Sequence, residues 1–278
     1  MNSILSLGVV TALSLPLAIH AQTEPQLNID PLELEQPAED EPAELSAVEL
    51  YNRGVDKLST GDYEGAIADF DRSIQLEEDV DAYYNRAFAH HILGNYNRAI
   101  ADYSEAIDRD SEFTNAYGNR CYAYYQIQEY AAAIEDCTEA IALDPSNATF
   151  FISRGNAQDD SGSPEEALAD YDEAIRLDSE NARAYYNRAL VYSRLEDYEQ
   201  AVEDYTQSVQ LNEEFAEAYY NRGLTYFKLE NQDQAIADLE RAAEIFAAQG
   251  KDEQTQQVTE ALRVISENGT SGVRENVP

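Results

Sequence analysis

Apolar residues recur through most of the chain at helical spacing, in pairs of runs separated by a short polar turn. In the first pair, Leu50 and Leu58 precede a turn at Gly61, and a second apolar run follows from Tyr63 to Ile74. A spacing of three and four residues places such side chains on one face of an α-helix. Each pair of runs therefore predicts a hairpin of two helices.

The hairpin pattern returns at a fixed interval. One arginine marks the same point of each copy, with a spacing of 33 residues once and 34 residues four times: Arg53, Arg86, Arg120, Arg154, Arg188 and Arg222. This interval divides the chain into six repeats: 47–79, 80–113, 114–147, 148–181, 182–215 and 216–249. A single hairpin is too thin to bury its own apolar face, so hairpins with this period are expected to stack into an array.

Small side chains fall where the two helices of each hairpin must approach closely. The first helices carry Gly54, Ala87, Cys121, Gly155, Ala189 and Gly223 at this position. The second helices carry Ala66, Ala99, Ala133, Ala167, Ala201 and Ala235. Together with the large residues between them, as in Ala87, Tyr96, Ala99, Tyr103 and Ala106, this pattern resembles the tetratricopeptide repeat (TPR) family.

The resemblance covers about residues 47–266 and implies both a fold and a role. The expected fold is all-α, a right-handed α-solenoid of six hairpins closed by a capping helix at residues 250–266. Residues 267–278 are expected to form a loose tail. The expected role is that of a non-catalytic scaffold or adaptor that binds an extended segment of another protein in its concave groove.

Two segments precede the repeats. Residues 1–21 are mostly apolar, contain no charged side chain and end in a short apolar run broken by Pro16, which predicts a secretory signal peptide. An uncleaved anchor or a misplaced start codon are the alternatives. Residues 22–46 contain four prolines, eight acids and no base, which predicts a disordered acidic tether. The protein is therefore expected to be exported, to the periplasm or the extracellular space, without stable membrane insertion after cleavage.

The charge balance narrows the class of partner. The chain carries 55 acids against 18 Lys and Arg, a formal net charge of −37 at pH 7. Such a charge disfavours nucleic acids and anionic lipid surfaces, because their phosphates would be repelled. A neutral or basic segment of another protein suits the chain better. A uniformly solvated acidic surface with no particular partner, or adaptation to high salt, would produce the same composition.

Each repeat arginine is followed sixteen residues later by an aspartate, at positions that lie roughly opposite each other in an antiparallel hairpin. The predicted ion pairs are Arg53–Asp69, Arg86–Asp102, Arg120–Asp136, Arg154–Asp170, Arg188–Asp204 and Arg222–Asp238. We interpret them as structural contacts that fix packing register.

A row of asparagines precedes these arginines: Asn52, Asn85, Asn119, Asn187 and Asn221. In the TPR superhelix this position faces the concave groove, beside Tyr51, Tyr84, Tyr186 and Tyr220. A side-chain amide offers both a donor and an acceptor, so a row of them can bind an extended peptide backbone. The alternative is that each asparagine bonds a neighbouring helix and recurs because the repeats were copied.

Cys121 and Cys137 occupy facing positions of one hairpin, either as two buried thiols or, in an exported protein, as a disulfide. The sequence shows no phosphate-binding loop, no metal-ligand spacing and no nucleophile with a base at a useful distance, so we predict no catalytic site, metal or cofactor. A self-associating structural spacer, or a regulatory subunit of an unseen enzyme, are the alternatives to the adaptor.

Overall fold

The computed structural model describes residues 45–272. The predicted signal peptide and all of the tether up to residue 44 lie outside the described residues, as do residues 273–278 of the tail. The described residues form two compact units, which we call the N-terminal unit (residues 45–170) and the C-terminal unit (residues 171–272).

All regular secondary structure within residues 45–272 is α-helical. The helices are α1 (Ala47–Ser59), α2 (Tyr63–Leu76), α3 (Val80–Ile92), α4 (Tyr96–Arg109), α5 (Thr114–Gln126), α6 (Tyr130–Leu143), α7 (Ala148–Asp160), α8 (Pro164–Leu177), α9 (Ala182–Arg194), α10 (Tyr198–Leu211), α11 (Ala216–Lys228), α12 (Gln232–Ala248) and α13 (Asp252–Gly272). Consecutive helices pack as hairpins, which confirms the predicted all-α solenoid class.

In the N-terminal unit, α1 packs on α2, α3 on α4 and α5 on α6, and each second helix also contacts the first helix of the next hairpin. The predicted small residues lie at these contacts and are fully buried, as Ala66 and Ala99 show. A Cβ atom placed on Gly54 would lie 2.6 Å from the ring of Phe70, so only glycine fits there. Small residues therefore set the distance between the helices of each hairpin.

In the C-terminal unit, α9 packs on α10 and α11 on α12, and α13 packs on α12. Val258 and Ile265 of α13 join a buried cluster with Leu239 and Phe246 of α12. The amide of Gln232 adds a hydrogen bond of 3.0 Å to the backbone oxygen of Ile265. The last helix therefore covers the apolar face of the final hairpin.

The last helix is longer than the sequence predicted. It continues to Gly272, so residues 267–272 are helical rather than a loose tail. Arg263 donates to Glu267 at 2.8 Å, one turn farther along, and such a pair supports the helix past residue 266. No proline follows within these residues to stop it.

The turns inside the hairpins share one backbone conformation. Gly61, Gly94 and Gly162 have positive φ angles of 81°, 73° and 90°. Gln128, Glu196 and Glu230 hold the equivalent positions with φ of 63°, 62° and 59°. The geometry of the hairpin therefore requires a left-handed backbone conformation at this position, even in the repeats where the residue is not glycine.

Replacing Gly118 with alanine should destabilise the N-terminal unit by about 1–3 kcal/mol, because the new methyl group overpacks the site. Its Cβ would lie 2.4 Å from the ring of Phe150, which is itself buried. Urea unfolding followed by circular dichroism measures the effect. Adding Phe150→Leu should recover part of the loss. A stabilised Gly118→Ala variant would show that helix propensity outweighs the clash.

Candidate peptide-binding site

The predicted groove residues lie on the first helices of the hairpins. In the N-terminal unit α1 contacts α3, and α3 contacts α5; in the C-terminal unit α9 contacts α11. The groove residues of the N-terminal unit are Asn52, Tyr84, Asn85 and Asn119, and those of the C-terminal unit are Tyr186, Asn187, Tyr220 and Asn221.

Asparagine amides join neighbouring repeats through tyrosine hydroxyls. Asn85 donates through Nδ2 to the hydroxyl of Tyr51 at 3.0 Å, and Asn119 donates to Tyr84 at 2.9 Å. In the C-terminal unit Asn221 donates to Tyr186 at 2.9 Å. We call these contacts the asparagine–tyrosine ladder.

Five of the eight predicted groove residues are buried. The buried members, none more than 9 % exposed, are Tyr84, Asn85, Tyr186, Asn187 and Tyr220. Tyr84, Asn85 and Tyr186 each share a hydrogen bond with the adjacent first helix, which is the alternative interpretation of the asparagine row for Asn85. Tyr220 packs in the core of the last hairpin. Asn52, Asn119 and Asn221 are half-buried and reach the surface.

The ladder leaves hydrogen-bond acceptors at the surface. Asn119 and Asn221 donate through Nδ2, but their Oδ1 atoms accept no hydrogen bond from the described residues. Asn52 differs, because its buried Nδ2 has no partner among the described residues, which place no earlier repeat before α1. An amide whose nitrogen is engaged is held in one orientation, and its free oxygen can accept from a peptide N–H.

Burial keeps the ladder tyrosines neutral. Desolvation raises the pKa of Tyr84 and of Tyr186, and the hydrogen bond from the asparagine opposes the rise in each case. A neutral hydroxyl both accepts from the asparagine and retains its own proton to donate. The ladder is therefore stable as a hydrogen-bonded array across the physiological pH range.

The charges around the first helices differ between the units. In the N-terminal unit, Asp160 is exposed and accepts a hydrogen bond of 2.7 Å from the hydroxyl of Tyr125. In the C-terminal unit, Glu217 of α11 pairs with Lys251 at 3.0 Å. Arg194 and Lys228 of this unit are exposed.

All six predicted arginine–aspartate pairs are formed. In each, the arginine Nε donates to one aspartate oxygen at 2.6–2.8 Å and an Nη donates to the other. The aspartates are buried, at 3–7 % exposure, so the pairs are bidentate contacts removed from water. They join the two helices of one hairpin.

The arginines also make a third contact, which the sequence analysis missed. The remaining Nη of each of the last five arginines donates to the preceding repeat, at the residue two positions after the ladder aspartate. The acceptors are Asp71, Ser104, Thr138, Asp172 and Thr206. An acid or hydroxyl at this position in every repeat is the sequence signal that would have revealed it.

Burial raises the pKa of some of the paired aspartates. Desolvation raises the pKa of Asp136 and of Asp204, despite the opposing hydrogen bonds from Arg120 and Arg188. In the first repeat the hydrogen bond from Arg53 outweighs desolvation and lowers the pKa of Asp69, which Lys57 also contacts at 2.8 Å. The buried pairs therefore carry a desolvation cost that only an intact arginine offsets.

Cys121 and Cys137 are joined by a disulfide, with a Cα–Cα distance of 5.4 Å. Both residues are fully buried between α5 and α6. The bond takes the place of the contact that a small residue and an aromatic ring make in neighbouring repeats, such as Ala87 and Tyr103. It therefore fastens the third hairpin covalently.

A buried histidine pair lies at the end of α3. The ring of His91 stacks on Tyr122 with centroids 4.9 Å apart and meets Tyr96 and Tyr103 edge-on. Desolvation lowers the pKa of His91 to about 4. Desolvation also lowers the pKa of His90.

Lowering the pH from 6.5 to 4 should destabilise the protein by about 2 kcal/mol through His91. The folded pKa lies below the unfolded value, so the unfolded chain takes up the proton first. The stability is complete above the unfolded pKa and is lost as the pH falls through this window. Urea unfolding at both pH values measures it. His91→Phe, which keeps the aromatic stack, should show a smaller loss than the parent, and an equal loss would contradict the assignment.

Within residues 45–267, no group of three or more His, Cys, Asp or Glu side chains is placed to hold a metal ion. None of the described helices combines the length and apolar character that a membrane span requires.

The sequence profile of the tetratricopeptide repeat matches residues 80–113, 114–147, 182–215 and 216–246. A second TPR repeat profile matches residues 160–196. The chain belongs to the tetratricopeptide repeat family. A comparison with curated protein sequences finds no match for it.

Solved TPR structures share the fold. MamA is 24% identical over 62% of this chain and 94% of its own, with a TM-score of 0.55. YrrB, described as a TPR protein with an unusual peptide-binding site, is 22% identical over 70% of this chain and 97% of its own, with a TM-score of 0.54. A tetratricopeptide repeat protein from Parabacteroides merdae is 17% identical over 80% of this chain and 96% of its own, with a TM-score of 0.63. These structures, all less than 25% identical, share the fold, and the repeats themselves support a protein–protein interaction scaffold in general terms.

Proposed function

We propose that this TPR protein is a non-catalytic scaffold that binds an extended segment of a partner protein along its first helices. The observation that carries the proposal is the pair of oriented, unused carbonyl oxygens on Asn119 and Asn221. Each accepts a hydrogen bond from a backbone N–H group of a segment bound on its own unit, so recognition does not depend on the sequence of the segment. This replaces the wider set of contacts expected from the sequence, because five of those residues are buried.

Charge favours a neutral or basic segment. The chain has a net charge of −37, and Asp81 and Asp160 are exposed on the first helices of the N-terminal unit. Complementary charge raises the rate of encounter and excludes acidic competitors. A preformed helical surface binds such a segment at low ordering cost on the scaffold side.

Affinity capture with matched variants tests the role of the amides. The baits are the full chain, an Asn119→Ala/Asn221→Ala variant and a Tyr84→Phe/Tyr186→Phe variant. Both variants lose the same two hydrogen bonds, but only the first loses the free carbonyl oxygens. The partner should be retained by the parent and by the tyrosine variant, and lost from the asparagine variant.

Circular dichroism must first show equal helicity for the three baits. Loss of the partner from both variants would assign the ladder to structure alone. Retention by the asparagine variant would exclude the amides as the binding groups and direct attention to the acidic second helices.

We also propose that the protein is exported and works in the periplasm or outside the cell. The apolar, uncharged residues 1–21 support this, and the Cys121–Cys137 disulfide is typical of an oxidising compartment. Mass spectrometry of the mature protein tests the proposal: a chain that begins at Gln22 supports it, and a chain that retains residues 1–21 contradicts it.

A further inference from the structure

A phenylalanine packs on the ladder tyrosine in two of the repeats. In the second repeat the ring of Phe113 lies 4.7 Å from that of Tyr84, and in the fifth the ring of Phe215 lies 4.7 Å from that of Tyr186. Each phenylalanine is the N-cap residue of the following helix, and neither side chain makes a capping hydrogen bond. A short polar residue is favoured at an N-cap. The phenylalanines therefore contribute packing on the tyrosine rather than a cap.

The first repeat lacks this phenylalanine. The segment between α2 and α3 is residues 77–79, one residue shorter than residues 110–113 between α4 and α5. Its N-cap residue is Asp79, whose carboxylate accepts hydrogen bonds from the backbone N–H groups of Asp81 and Ala82 at 3.0 and 3.1 Å. A cleft of about 90 Å³ lies at this end of the hairpin, lined by Ala47, Val48, Tyr51, Ser73, Glu77 and Asp79.

The cleft corresponds to the space that Phe113 fills in the second repeat. Tyr51 and Ser73 of the cleft hold the positions that Tyr84 and Ala106 hold one repeat later. Tyr84 and Ala106 belong to the buried cluster against which Phe113 packs. The first repeat therefore has the walls of a site for an aromatic ring but not the ring itself.

The charges at the cleft favour a basic neighbour for such a ring. Glu77 and Asp79 are exposed, and neither pairs with a lysine or arginine among the residues that the structure describes. Two carboxylates attract an ammonium or guanidinium group and repel an acidic side chain. Residues 22–46 contain no aromatic residue, so the sequence just before α1 supplies no ring. We therefore look for the ring in another protein.

We propose that the cleft beside Tyr51 binds an aromatic side chain of the partner segment, with a lysine or arginine next to it in that segment. The ring takes the place that Phe113 takes beside Tyr84, and the base lies near Glu77 and Asp79. This inference rests on the proposed function, because its ligand is the extended segment of another protein. It adds the side chains that this segment carries.

A peptide titration of the full chain tests the proposal. The probe is the fluorescein-labelled peptide Ser-Lys-Phe-Lys-Ser, and two reference peptides carry alanine in place of the phenylalanine or glutamate in place of both lysines. Fluorescence anisotropy should show about tenfold weaker binding of the alanine peptide, because it loses the burial of the ring. The glutamate peptide should also bind more weakly than the probe, because its acids meet the two carboxylates.

Methyl NMR locates the bound peptide. The unlabelled probe should shift the methyl resonances of Val48, which lines the cleft. It should leave those of Val191 in place, because this residue is buried in the C-terminal unit. Unchanged Val48 resonances at saturating probe would overturn the proposal.

Two tryptophan substitutions form a matched pair. Val48 and Ile92 are both 39% exposed, but Val48 lies at the start of α1 and Ile92 at the end of α3. Val48→Trp places a ring at the cleft and should weaken probe binding about tenfold, because the bound phenylalanine is displaced. Ile92→Trp should bind the probe as the parent does. Circular dichroism must show equal helicity, and an equal loss in both variants would contradict the site.

The Asn119→Ala/Asn221→Ala variant separates this inference from the proposed function. The probe is expected in the first repeat, so this variant should bind it with the affinity of the parent, whatever its effect on capture of the partner. Normal probe binding together with unchanged partner capture would remove the amides and keep the cleft. Loss of partner capture in this variant, with equal affinity of the parent for the probe and the alanine peptide, would keep the amides and overturn the cleft.

Discussion

Replacing Arg120 with alanine should lower the free energy of unfolding by about 3–5 kcal/mol, because it leaves a buried carboxylate without its partner. Asp136 is only 5 % exposed and receives two hydrogen bonds of 2.7 Å from this arginine. The same arginine donates to Ser104 of the preceding repeat at 2.8 Å. One substitution therefore removes a contact within a hairpin and a contact between hairpins.

Arg176 provides the control for Arg120. It pairs with Glu173 along one helix, with the arginine side chain 65% exposed. Removing such a pair should cost less than about 1 kcal/mol. Urea unfolding of the parent and both variants makes the comparison. A loss for Arg120→Ala no larger than that for Arg176→Ala would show that the buried pairs contribute nothing beyond surface charge.

Reducing the Cys121–Cys137 disulfide should destabilise the protein by about 3 kcal/mol, because the bond closes a loop that the unfolded chain would otherwise explore freely. The two cysteines are 16 residues apart. For a protein of this size the loss corresponds to a fall in Tm of about 6–12 °C. Thermal unfolding with and without reductant measures it.

The repeats themselves suggest the control for the disulfide. Cys121→Ala/Cys137→Tyr reproduces the pair that Ala189 and Tyr205 make in the fifth repeat, both of which are buried. This variant should fold and show no response to reductant. An equal Tm for the parent with and without reductant would contradict a stabilising bridge.

The hairpins and ion pairs were predictable because they depend on distances along one chain segment. An arginine and an aspartate sixteen residues apart face each other in any antiparallel hairpin with a short turn, as Arg86 and Asp102 do at 2.8 Å. The helices were predictable in the same way, from apolar residues spaced three and four apart. Contacts of this kind need no knowledge of how one hairpin lies against the next.

The candidate site was less predictable because it lies between hairpins. Asn85 looks like a groove residue from its place in the repeat, but the adjacent first helix brings Tyr51 within 3.0 Å and buries the amide. The contact of the last five arginines with the preceding repeat was missed for the same reason. The third repeat has Gly118 at the position of the ladder tyrosine, and the fourth repeat has Ser153 at the position of the asparagine that would donate to it. The two departures occur together because each residue would lack its hydrogen-bond partner, and this can be recognised only once the ladder is known.

The contacts between successive arginines and the preceding repeat are of two kinds. Arg86–Asp71 and Arg188–Asp172 join two charges, whereas the others join a charge to a hydroxyl. Dissolved salt screens attraction between partly exposed charges and affects a hydroxyl contact far less. Raising the ionic strength should therefore weaken the contacts of Arg86 and Arg188 with the preceding repeat and leave those of the other three arginines largely unchanged.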